Sequence, residues 1–267
     1  MSLPVRIIVG FIAAGLIALL ARRARALSPT GAIAAMLVGT VAVAAGWSWA
    51  ILVIAYFVTS TILSRAGRQR KAARTAGVVA KPGARDAWQV MSNGLPFTVA
   101  ALLAVAGVAP VQWLIAAGAG SLAASAADTW ATEIGTWVGQ PPRSIISGRK
   151  LGVGESGGIT AAGSVASIAG AAFIAAVAAA LWRSTPLFLP LTAAGIAGSL
   201  ADSVAGALLQ RRSWCDACDV TTEMRVHTCG APTRHTGGIS FVENDLVNLG
   251  ATIVGALTAI LLIQRLA

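Results

Sequence analysis

The stretch LPVRIIVGFIAAGLIALL, from Leu3 to Leu20, contains a single charged side chain, that of Arg6. A helix needs about 20 mostly apolar residues to cross the hydrocarbon core of a bilayer, so this stretch alone predicts a membrane span. Three arginines follow it closely, at positions 22, 23 and 25. They resist translocation, which favours an uncleaved first span over a signal peptide.

The rest of the chain has the same character. Hydrophobic residues make up 56% of the 267 residues and charged residues only 11%, whereas an ordinary soluble domain has about 25% charged residues. The sequence therefore predicts an all-α fold, a polytopic transmembrane helix bundle that forms a single membrane domain over residues 1–267. It has eight spans or, if one early helix is lost, seven. The apolar runs that define the eight spans are 4–20, 30–46, 48–64, 93–109, 111–138, 158–181, 188–210 and 239–264.

Basic residues gather in every second loop. Loops 21–29, 65–90, 139–157 and 211–238 are rich in Arg and Lys, whereas the short loops between them contain only Arg183. The positive-inside rule therefore places the four basic loops in the cytoplasm and both termini outside, in the plasma membrane or its equivalent. With this distribution, the formal net charge of +10 favours lipid headgroups and substrate phosphates over nucleic acid as partners.

An internal repeat links two of the predicted helix pairs. The segment Gly120–Ser125 (GSLAAS), followed by Gly157–Thr160 (GGIT), recurs as Gly198–Ser203 (GSLADS), followed by Gly237–Ser240 (GGIS), at a nearly constant offset. Each copy is predicted to be a helix, a basic loop and a Gly-Gly turn into the next helix, so the copies would be parallel rather than inverted repeats. Chance similarity in a chain rich in Gly, Ala and Ser is the alternative.

Four carboxylates lie in or beside apolar runs, at Asp128, Glu133, Asp202 and Asp245. Charged groups in a bilayer are costly and mark functional sites. All four are near predicted cytoplasmic helix ends, where their hard oxygens suit Mg²⁺ shared with substrate phosphates. Helix capping or pairing with loop arginines is the alternative. On one unbroken helix Asp128 and Glu133 are about 140° apart around the axis, so both reach a single ion only if the helix breaks.

A glycine-rich loop, Arg149–Thr160 (RKLGVGESGGIT), enters the sixth predicted helix. Backbone N–H groups of such a loop and the following helix N-terminus bind anions. A plain turn into the membrane is equally compatible, because the segment lacks the ending of a P-loop. Arg143 and Lys150 would neutralise phosphoryl charge beside it. The predicted substrate- and nucleotide-binding residues are Asn93, Gly154, Ser156, Gly157, Gly158, Thr160, Ser203, Asn244 and Asn248.

Three cysteines and a histidine lie together in the loop 211–238, at Cys215, Cys218, His227 and Cys229. They are ligands that structural Zn²⁺ uses, and Cys-x-x-Cys is a favourable chelating pair. Because the loop is predicted to be cytoplasmic, a disulfide is the less favoured use. The sequence thus predicts a zinc knuckle that orders this loop, with free thiols as the alternative.

Several motifs together resemble one family of membrane proteins, long filed as of unknown function, that includes the plant chloroplast phytyl-phosphate kinase and an animal transmembrane relative. The most specific motif is Ala127–Gly135 (ADTWATEIG). The others include Leu27–Gly31 (LSPTG), Gln89–Gly94 (QVMSNG), Gly198–Ala207 (GSLADSVAGA) and Asn244–Asn248 (NDLVN). That family is more distantly similar to CTP-dependent phytol and dolichol kinases and to the cytidylyltransferases that make CDP-diacylglycerol.

The resemblance implies transfer of a phosphoryl group from CTP, or a related nucleotide, to an isoprenyl monophosphate, giving the diphosphate. The site residues that it implies are Asp128, Glu133, Asp202, Asn244, Asp245 and Asn248. One departure is Glu243, where the family usually has Asp. Two alternatives stay open: a prenol kinase or CTP-dependent cytidylyltransferase with the same metal site, and an ion-coupled transporter that uses the repeat and the intramembrane carboxylates.

Overall fold

The computed structural model describes residues 1–81 and 83–265, and within them eight helices of 17 or more residues form one bundle. The predicted all-α bundle is thus confirmed. Together with a short ninth helix, α4, the helices are α1 (Leu3–Arg23), α2 (Pro29–Ala45), α3 (Trp47–Arg65), α4 (Arg68–Thr75), α5 (Ala87–Ala106), α6 (Val111–Val138), α7 (Ala161–Leu181), α8 (Phe188–Leu208) and α9 (Asn244–Gln264).

Each of the eight predicted apolar runs corresponds to one of the long helices. Six of these, α1, α3, α5, α7, α8 and α9, are long and apolar enough to cross a membrane. Helix α2 is apolar but shorter, and α6, with 28 residues, is not among the six. The protein is therefore a polytopic helical membrane protein.

Three helix starts differ from the prediction by more than one residue. Helix α5 begins at Ala87 rather than at 93, because Asp86 and Gln89 form a capping box. The Asp86 carboxylate accepts from the Gln89 N–H at 2.9 Å, and the Gln89 side-chain oxygen accepts from the Asp86 N–H at 3.0 Å, which together satisfy two donors at the helix end. Helices α7 and α9 begin later than predicted, at Ala161 and Asn244, because the Gly-Gly turns of the repeat precede both helices instead of belonging to them.

Helix α6 lies at the centre of the bundle, in contact with α3, α5, α7, α8 and α9. Its residues 114–127 are all buried. A Cβ atom on Gly120 would lie 2.5 Å from the Ala259 Cβ of α9, and one on Gly198 of α8 would lie 2.4 Å from the Ala124 Cβ. Small residues let helix backbones approach closely where lipid offers no hydrophobic drive for association. The small side chains of α6 are therefore what allow the five helices to pack around it.

The internal repeat has a structural counterpart. Its first copy lies in α6 and its second in α8, and each of these helices is followed by a loop and a returning helix, α7 or α9. Helix α8 packs on α6, and α9 packs on both. The two copies are therefore adjacent and run in the same direction, which agrees with the predicted parallel repeat.

The four basic loops meet at one end of the bundle. The Ser28 N–H donates to the Arg85 carbonyl at 3.0 Å, which joins the first loop to the second. The Glu223 N–H donates to the Val78 carbonyl at 2.9 Å, which joins the fourth loop to the second. The Ser156 hydroxyl donates to the Glu223 carboxylate and joins the third loop to the fourth. These contacts agree with a common side for the four loops; that this side is cytoplasmic stays a prediction.

Three of these loops contain regular structure that the sequence did not predict. Helix α4 is a basic helix in loop 65–90, and Lys71 is its one buried residue. The strands are β1 (Arg143–Ser144), β2 (Gly158–Ile159), β3 (Arg212–Cys215), β4 (Val220–Thr222) and β5 (Arg234–Gly237). Strands β1 and β2 pair antiparallel, and the other three form an antiparallel sheet in the order β4-β3-β5.

Candidate functional site

A polar cavity of about 460 Å³ opens among the basic loops, at the loop ends of α6, α8 and α9. The glycine-rich loop forms one wall, and the segment that follows α4 forms another. Most of the predicted site residues line this cavity: Asp128, Gly154, Ser156, Gly157, Gly158, Thr160, Asp202, Ser203, Asn244 and Asp245. Residues from distant parts of the sequence therefore converge on one space.

The cavity is acidic although the chain as a whole is basic. The chain has ten acidic residues, and those that line the cavity are Asp128, Glu155, Asp202, Glu223, Glu243 and Asp245. Lys81 is the one basic side chain among the described residues that line it. Such a cavity repels a polyphosphate unless cations enter with it, so its charge favours a divalent cation as one of the ligands.

Asp128 of α6 and Asp202 of α8 form the deepest acidic pair. Both side chains line the polar cavity, and their carboxyl groups are close enough to interact directly. The Asp202 Oδ1 atom is buried and has no hydrogen-bond partner in the described part of the chain. Two adjacent carboxylates away from water require a proton or a cation between them. An unbonded buried carboxylate oxygen fits cation coordination, so this pair is the strongest candidate for a metal-binding position.

Asp245, in the first turn of α9, adds a third carboxylate. Its Oδ2 atom accepts a hydrogen bond from the Lys81 ammonium at 2.5 Å, and the same ammonium lies 3.3 Å from the Asp86 carboxylate. Partial burial lowers the pKa of Lys81, but the hydrogen bonds and charges of Asp245 and Asp86 outweigh it and raise the pKa above its ordinary value. Lys81 is therefore protonated at neutral pH. The Asp245 Oδ1 atom is buried with no partner among the described residues, and it is a further candidate ligand.

Glu223 anchors the glycine-rich loop. Its Oε1 atom accepts hydrogen bonds from the Ser156 hydroxyl and, at 2.8 Å, from the Gln210 amide. Burial raises the pKa of Glu223, and hydrogen bonds from Ser156 and from the backbone of Ala80 oppose the rise. This carboxylate thus ties together the glycine-rich loop, the end of α8 and the segment after α4.

Gly157 determines how closely the glycine-rich loop approaches α8. Its φ of +78° lies in the left-handed region that glycine adopts without steric cost. A Cβ atom at this position would lie 2.4 Å from the Ala207 Cβ and 2.7 Å from the Ala207 backbone nitrogen. The loop therefore runs directly against the last turns of α8, the helix that carries Asp202.

Glu133 lies outside the cavity lining, although it was predicted as a metal ligand. It forms an ion pair with Lys71 of α4 and accepts a hydrogen bond from the Ser64 hydroxyl at 2.5 Å. Helix α6 is unbroken from Val111 to Val138, so its geometry directs Glu133 away from Asp128. The observed contacts make Glu133 a link between α6, α4 and the end of α3.

Loss of this link is expected to destabilise the bundle. In a Glu133→Ala variant the buried Lys71 ammonium loses its one carboxylate partner and keeps only the Leu63 and Ser64 carbonyls, and we expect the free energy of unfolding to fall by roughly 3 kcal/mol. Thermal unfolding in detergent measures the change. Asp216→Ala is the matched control, because the Asp216–Arg234 pair is exposed and exposed pairs contribute under about 1 kcal/mol. Equal stability of the two variants would contradict a structural role for the Lys71–Glu133 pair.

The remaining predicted residues also lie away from the polar cavity. The Arg143 and Lys150 side chains are exposed, and the Arg143 guanidinium donates to the Gly148 carbonyl at 3.0 Å. Asn248 is partly buried on α9, one turn beyond Asn244. The four predicted zinc ligands form a separate cluster in the loop between α8 and α9.

The sequence profile described as Integral membrane protein DUF92 matches residues 12–256. The chain belongs to the DUF92 family of integral membrane proteins. The matched segment contains all of helices α2 to α8 and every residue that lines the polar cavity. The cavity of this DUF92 protein is therefore built entirely from the part of the chain that defines the family.

Relatives of this DUF92 protein match it over most of their length. An uncharacterized membrane protein of Methanocaldococcus jannaschii is 28% identical over 263 residues, which cover 98% of this chain and 96% of the relative. Protein PGR of Arabidopsis thaliana is 29% identical, with 91% of each chain covered. An uncharacterized membrane protein of Synechocystis sp. is 30% identical, with 70% of this chain and 73% of the relative covered. No solved structure matches. None of these names states a reaction.

The DUF92 protein has a second, apolar cavity of about 310 Å³, here called the apolar groove, between α1, α2, α3 and α5. Its walls include Val38 and Phe57, and its polar end contains Arg85, Gln89 and Asn93. Asn93, predicted to bind substrate, thus lies in the groove rather than in the polar cavity. Gln89 lines both spaces. The polar cavity and the apolar groove are therefore adjacent, and the Gln89 side chain lies between them.

Several residues that line the polar cavity were missed from the sequence, among them Lys81 and Glu223. Lys81 is one of seven basic residues in loop 65–90, and nothing in the order of that loop distinguishes it. Glu223 lies between the predicted zinc ligands and carries no motif of its own. The available signal for Glu223 was the small number of acidic residues. Because the chain has only ten of them, each is a candidate for a specific role.

Proposed function

We propose that this DUF92 protein is a membrane-embedded kinase that transfers a phosphoryl group from CTP, or a related nucleotide, to an isoprenyl monophosphate, giving the diphosphate. The observation that carries the proposal is the position of Gln89, which lines both the polar cavity and the apolar groove. A substrate with a charged head and a hydrocarbon tail fits across such a boundary, because each part then lies in a matching environment.

Asp128, Asp202 and Asp245 are the residues that would hold a magnesium ion. Support comes from the buried, unpartnered oxygens of Asp202 and Asp245 within the described chain and from the acidic excess of the cavity. Hard carboxylate oxygens are the ligands that Mg²⁺ prefers. When bound, Mg²⁺ neutralises charge on the nucleotide phosphates and polarises them.

The glycine-rich loop and the start of α7 would bind the phosphates. Gly154 and Gly157 both have positive φ angles, which let the backbone approach an anion closely. Thr160 caps α7, and the N-terminus of a helix carries partial positive charge. Lys81, placed in the cavity by Asp245, would supply the positive charge that the sequence predicts for Arg143 and Lys150.

The proposed reaction requires no strong general base. An oxygen of the prenyl monophosphate attacks the γ-phosphorus of the nucleotide, the bond from that phosphorus to the bridging oxygen breaks, and the nucleoside diphosphate leaves. The second pKa of a phosphate monoester is about 6, so its oxygen is already ionised at neutral pH. Described residues that line the cavity include no histidine. Positioning and electrostatic stabilisation would therefore supply most of the rate.

The direct test is turnover by the full-length protein in detergent. The protein is incubated with Mg²⁺, CTP and phytyl, geranylgeranyl or farnesyl monophosphate, and the products are followed by mass. A prenyl diphosphate and CDP are expected. A CDP-lipid with pyrophosphate would instead identify a cytidylyltransferase, and phosphorylation of a free prenol a prenol kinase. Binding of ions or solutes without turnover of any nucleotide would overturn the proposal in favour of a transporter.

The apolar groove is expected to select the acceptor by its tail. In the groove, a Cβ on Gly94 would meet the Val38 methyl groups at an ordinary 3.8 Å, so Gly94→Ala is tolerated and Gly94→Leu fills the space. We expect Gly94→Leu to lower kcat/KM for phytyl monophosphate roughly tenfold, with a smaller loss for farnesyl monophosphate and an unchanged KM for CTP. Steady-state kinetics measure this, with Gly94→Ala as the control. Equal losses for all acceptors would contradict tail binding in the groove.

A further inference from the structure

The four candidate zinc ligands converge on one point. The Sγ atoms of Cys215, Cys218 and Cys229 and a ring nitrogen of His227 all lie within 4.8 Å of one another. The Cys215 and Cys229 Sγ atoms are 3.7 Å apart, and the His227 Nδ1 atom is 3.2 Å from the Cys229 Sγ. Two thiolates bound tetrahedrally at about 2.3 Å from Zn²⁺ are about 3.8 Å apart, so the observed separation fits.

A disulfide does not explain this arrangement. All three cysteines are free thiols, and 3.7 Å between Cys215 and Cys229 is far beyond the S–S bond length of about 2.05 Å. Three sulfur atoms and a histidine nitrogen around one point are instead a complete tetrahedral donor set. With no position left open for water, such a site is structural rather than catalytic.

Two tight turns present the ligands. Cys215 ends β3 and Cys218 lies in the turn to β4, where the Asp219 N–H donates to the Cys215 carbonyl at 2.9 Å. His227 and Cys229 lie in a second turn, where the Gly230 N–H donates to the His227 carbonyl at 2.8 Å. Each turn supplies two ligands, which is the arrangement of small zinc-binding modules.

The segment around the cluster has little apolar core of its own. Between α8 and α9, the buried side chains are Gln210, Ser213, Cys215, Thr222, His227 and Val242, and most of them are polar. A module of this size is usually held together by disulfides or by a metal. Among the described residues, no other group of three or more His, Cys, Asp or Glu side chains brings its ligand atoms this close together.

The cluster also contacts the wall of the polar cavity. A Cβ atom on Gly77 would lie 2.6 Å from the His227 Nε2 atom, so the back of the imidazole packs on the segment that leads to Lys81. Glu223, which holds Ser156, lies between the two ligand pairs in the chain and donates its N–H to the Val78 carbonyl. Fixing the two turns relative to each other therefore fixes Glu223.

We propose that Cys215, Cys218, His227 and Cys229 bind one structural Zn²⁺ that holds the β3–β5 sheet against the polar cavity and positions Glu223. Zinc binding requires only this cluster and does not depend on the proposed phosphoryl transfer. The metal acts through Glu223, because Glu223 is a positioning residue for the glycine-rich loop.

The test is the metal content of full-length protein purified in detergent under reducing conditions without chelators. We expect one zinc per chain by elemental analysis. Co²⁺ exchanged into the site should give thiolate-to-metal charge-transfer and tetrahedral d–d absorption bands. His227→Ala should lose the zinc, whereas His235→Ala should keep it. His235 is the matched control, because it is the other histidine of the chain and lies exposed on β5.

The proposal would be overturned if wild-type protein stays free of zinc when supplied with it, or if it purifies with iron instead. This measurement uses only the wild-type protein, so it does not depend on whether a variant folds. Equal zinc content in His227→Ala and His235→Ala would also overturn it.

The positioning of Glu223 is tested by amide hydrogen exchange. Exchange in residues 76–80 and 209–243 should accelerate when zinc is removed and slow again when it is restored. Acceleration confined to residues 209–243, with none in residues 76–80, would limit the effect of the metal to its own loop and refute the link to the cavity wall. These readouts are independent of catalytic activity.

Discussion

Asp202→Asn is expected to lower phosphoryl transfer by about 10²- to 10³-fold, the range found when one preorganised electrostatic group is removed from an active site. Asparagine keeps the shape of the side chain but removes its charge. The Asp202 Oδ1 atom is buried without a partner among the described residues, and the carboxyl group lies beside that of Asp128. Removal of the charge therefore weakens the position proposed for Mg²⁺. Rates measured over a range of Mg²⁺ concentrations should show a lower kcat and a higher half-saturating Mg²⁺ concentration.

The control for this prediction is Asp216→Asn, which removes an exposed carboxylate outside the cavity and should leave the rate close to that of wild type. Asp128→Asn should behave like Asp202→Asn, because the two carboxyl groups act as one pair. An Asp202→Asn protein with wild-type kcat and Mg²⁺ dependence would remove Asp202 from the site. Retained thermal stability in both variants would show that the loss is catalytic.

Gly157→Ala is expected to lower kcat/KM for the nucleotide by about 10²-fold, since misplacement of a positioning group by about 1 Å has effects of that size. The new Cβ would lie 2.4 Å from the Ala207 Cβ and 2.7 Å from the Ala207 nitrogen. Backbone atoms of a helix cannot move aside as the end of a long side chain can. The loop that carries Ser156 must therefore shift away from α8, and steady-state kinetics with varied CTP will measure the result.

Gly148→Ala separates this contact from backbone strain. Gly148 lies in the same basic loop, 139–157, with a φ of +68°, close to the +78° of Gly157, so alanine is strained to a similar degree at both positions. A Cβ on Gly148, however, meets nothing within 4 Å. We expect Gly148→Ala to retain near wild-type kinetics. Equal losses in the two variants would show that strain, rather than contact with α8, limits the loop.

The helices were predictable because lipid imposes a simple rule, a long apolar run for each span. The same rule made Asp128 and Asp202 conspicuous, since carboxylates inside apolar runs demand an explanation. Helix ends were less predictable. The α5 start depends on two side chains, Asp86 and Gln89, that cap each other, and a hydropathy pattern does not register such a pair.

The sequence could not predict which side chains of the loops reach the polar cavity. Arg143 and Lys150 are near the glycine-rich loop in the chain, yet both are exposed, whereas Lys81 reaches the cavity from another loop and pairs with Asp245 across the site. Contacts between irregular segments follow no period, so neighbours in sequence are a poor guide to neighbours in space. Glu133 was different, because helix geometry alone had already placed it on another face from Asp128.

The central position of α6 has a consequence for biogenesis. Ribosomes deliver α6 to the membrane before α7, α8 and α9 exist, and it is not among the six helices apolar enough to cross alone. The surface of α6 around Gly120 is covered only when α9, the last helix to be synthesised, packs with Gly255 against it. Nascent chains that end before α9 should therefore expose a polar, small-residue helix to the insertion machinery. Such chains are the ones that membrane quality control is expected to degrade.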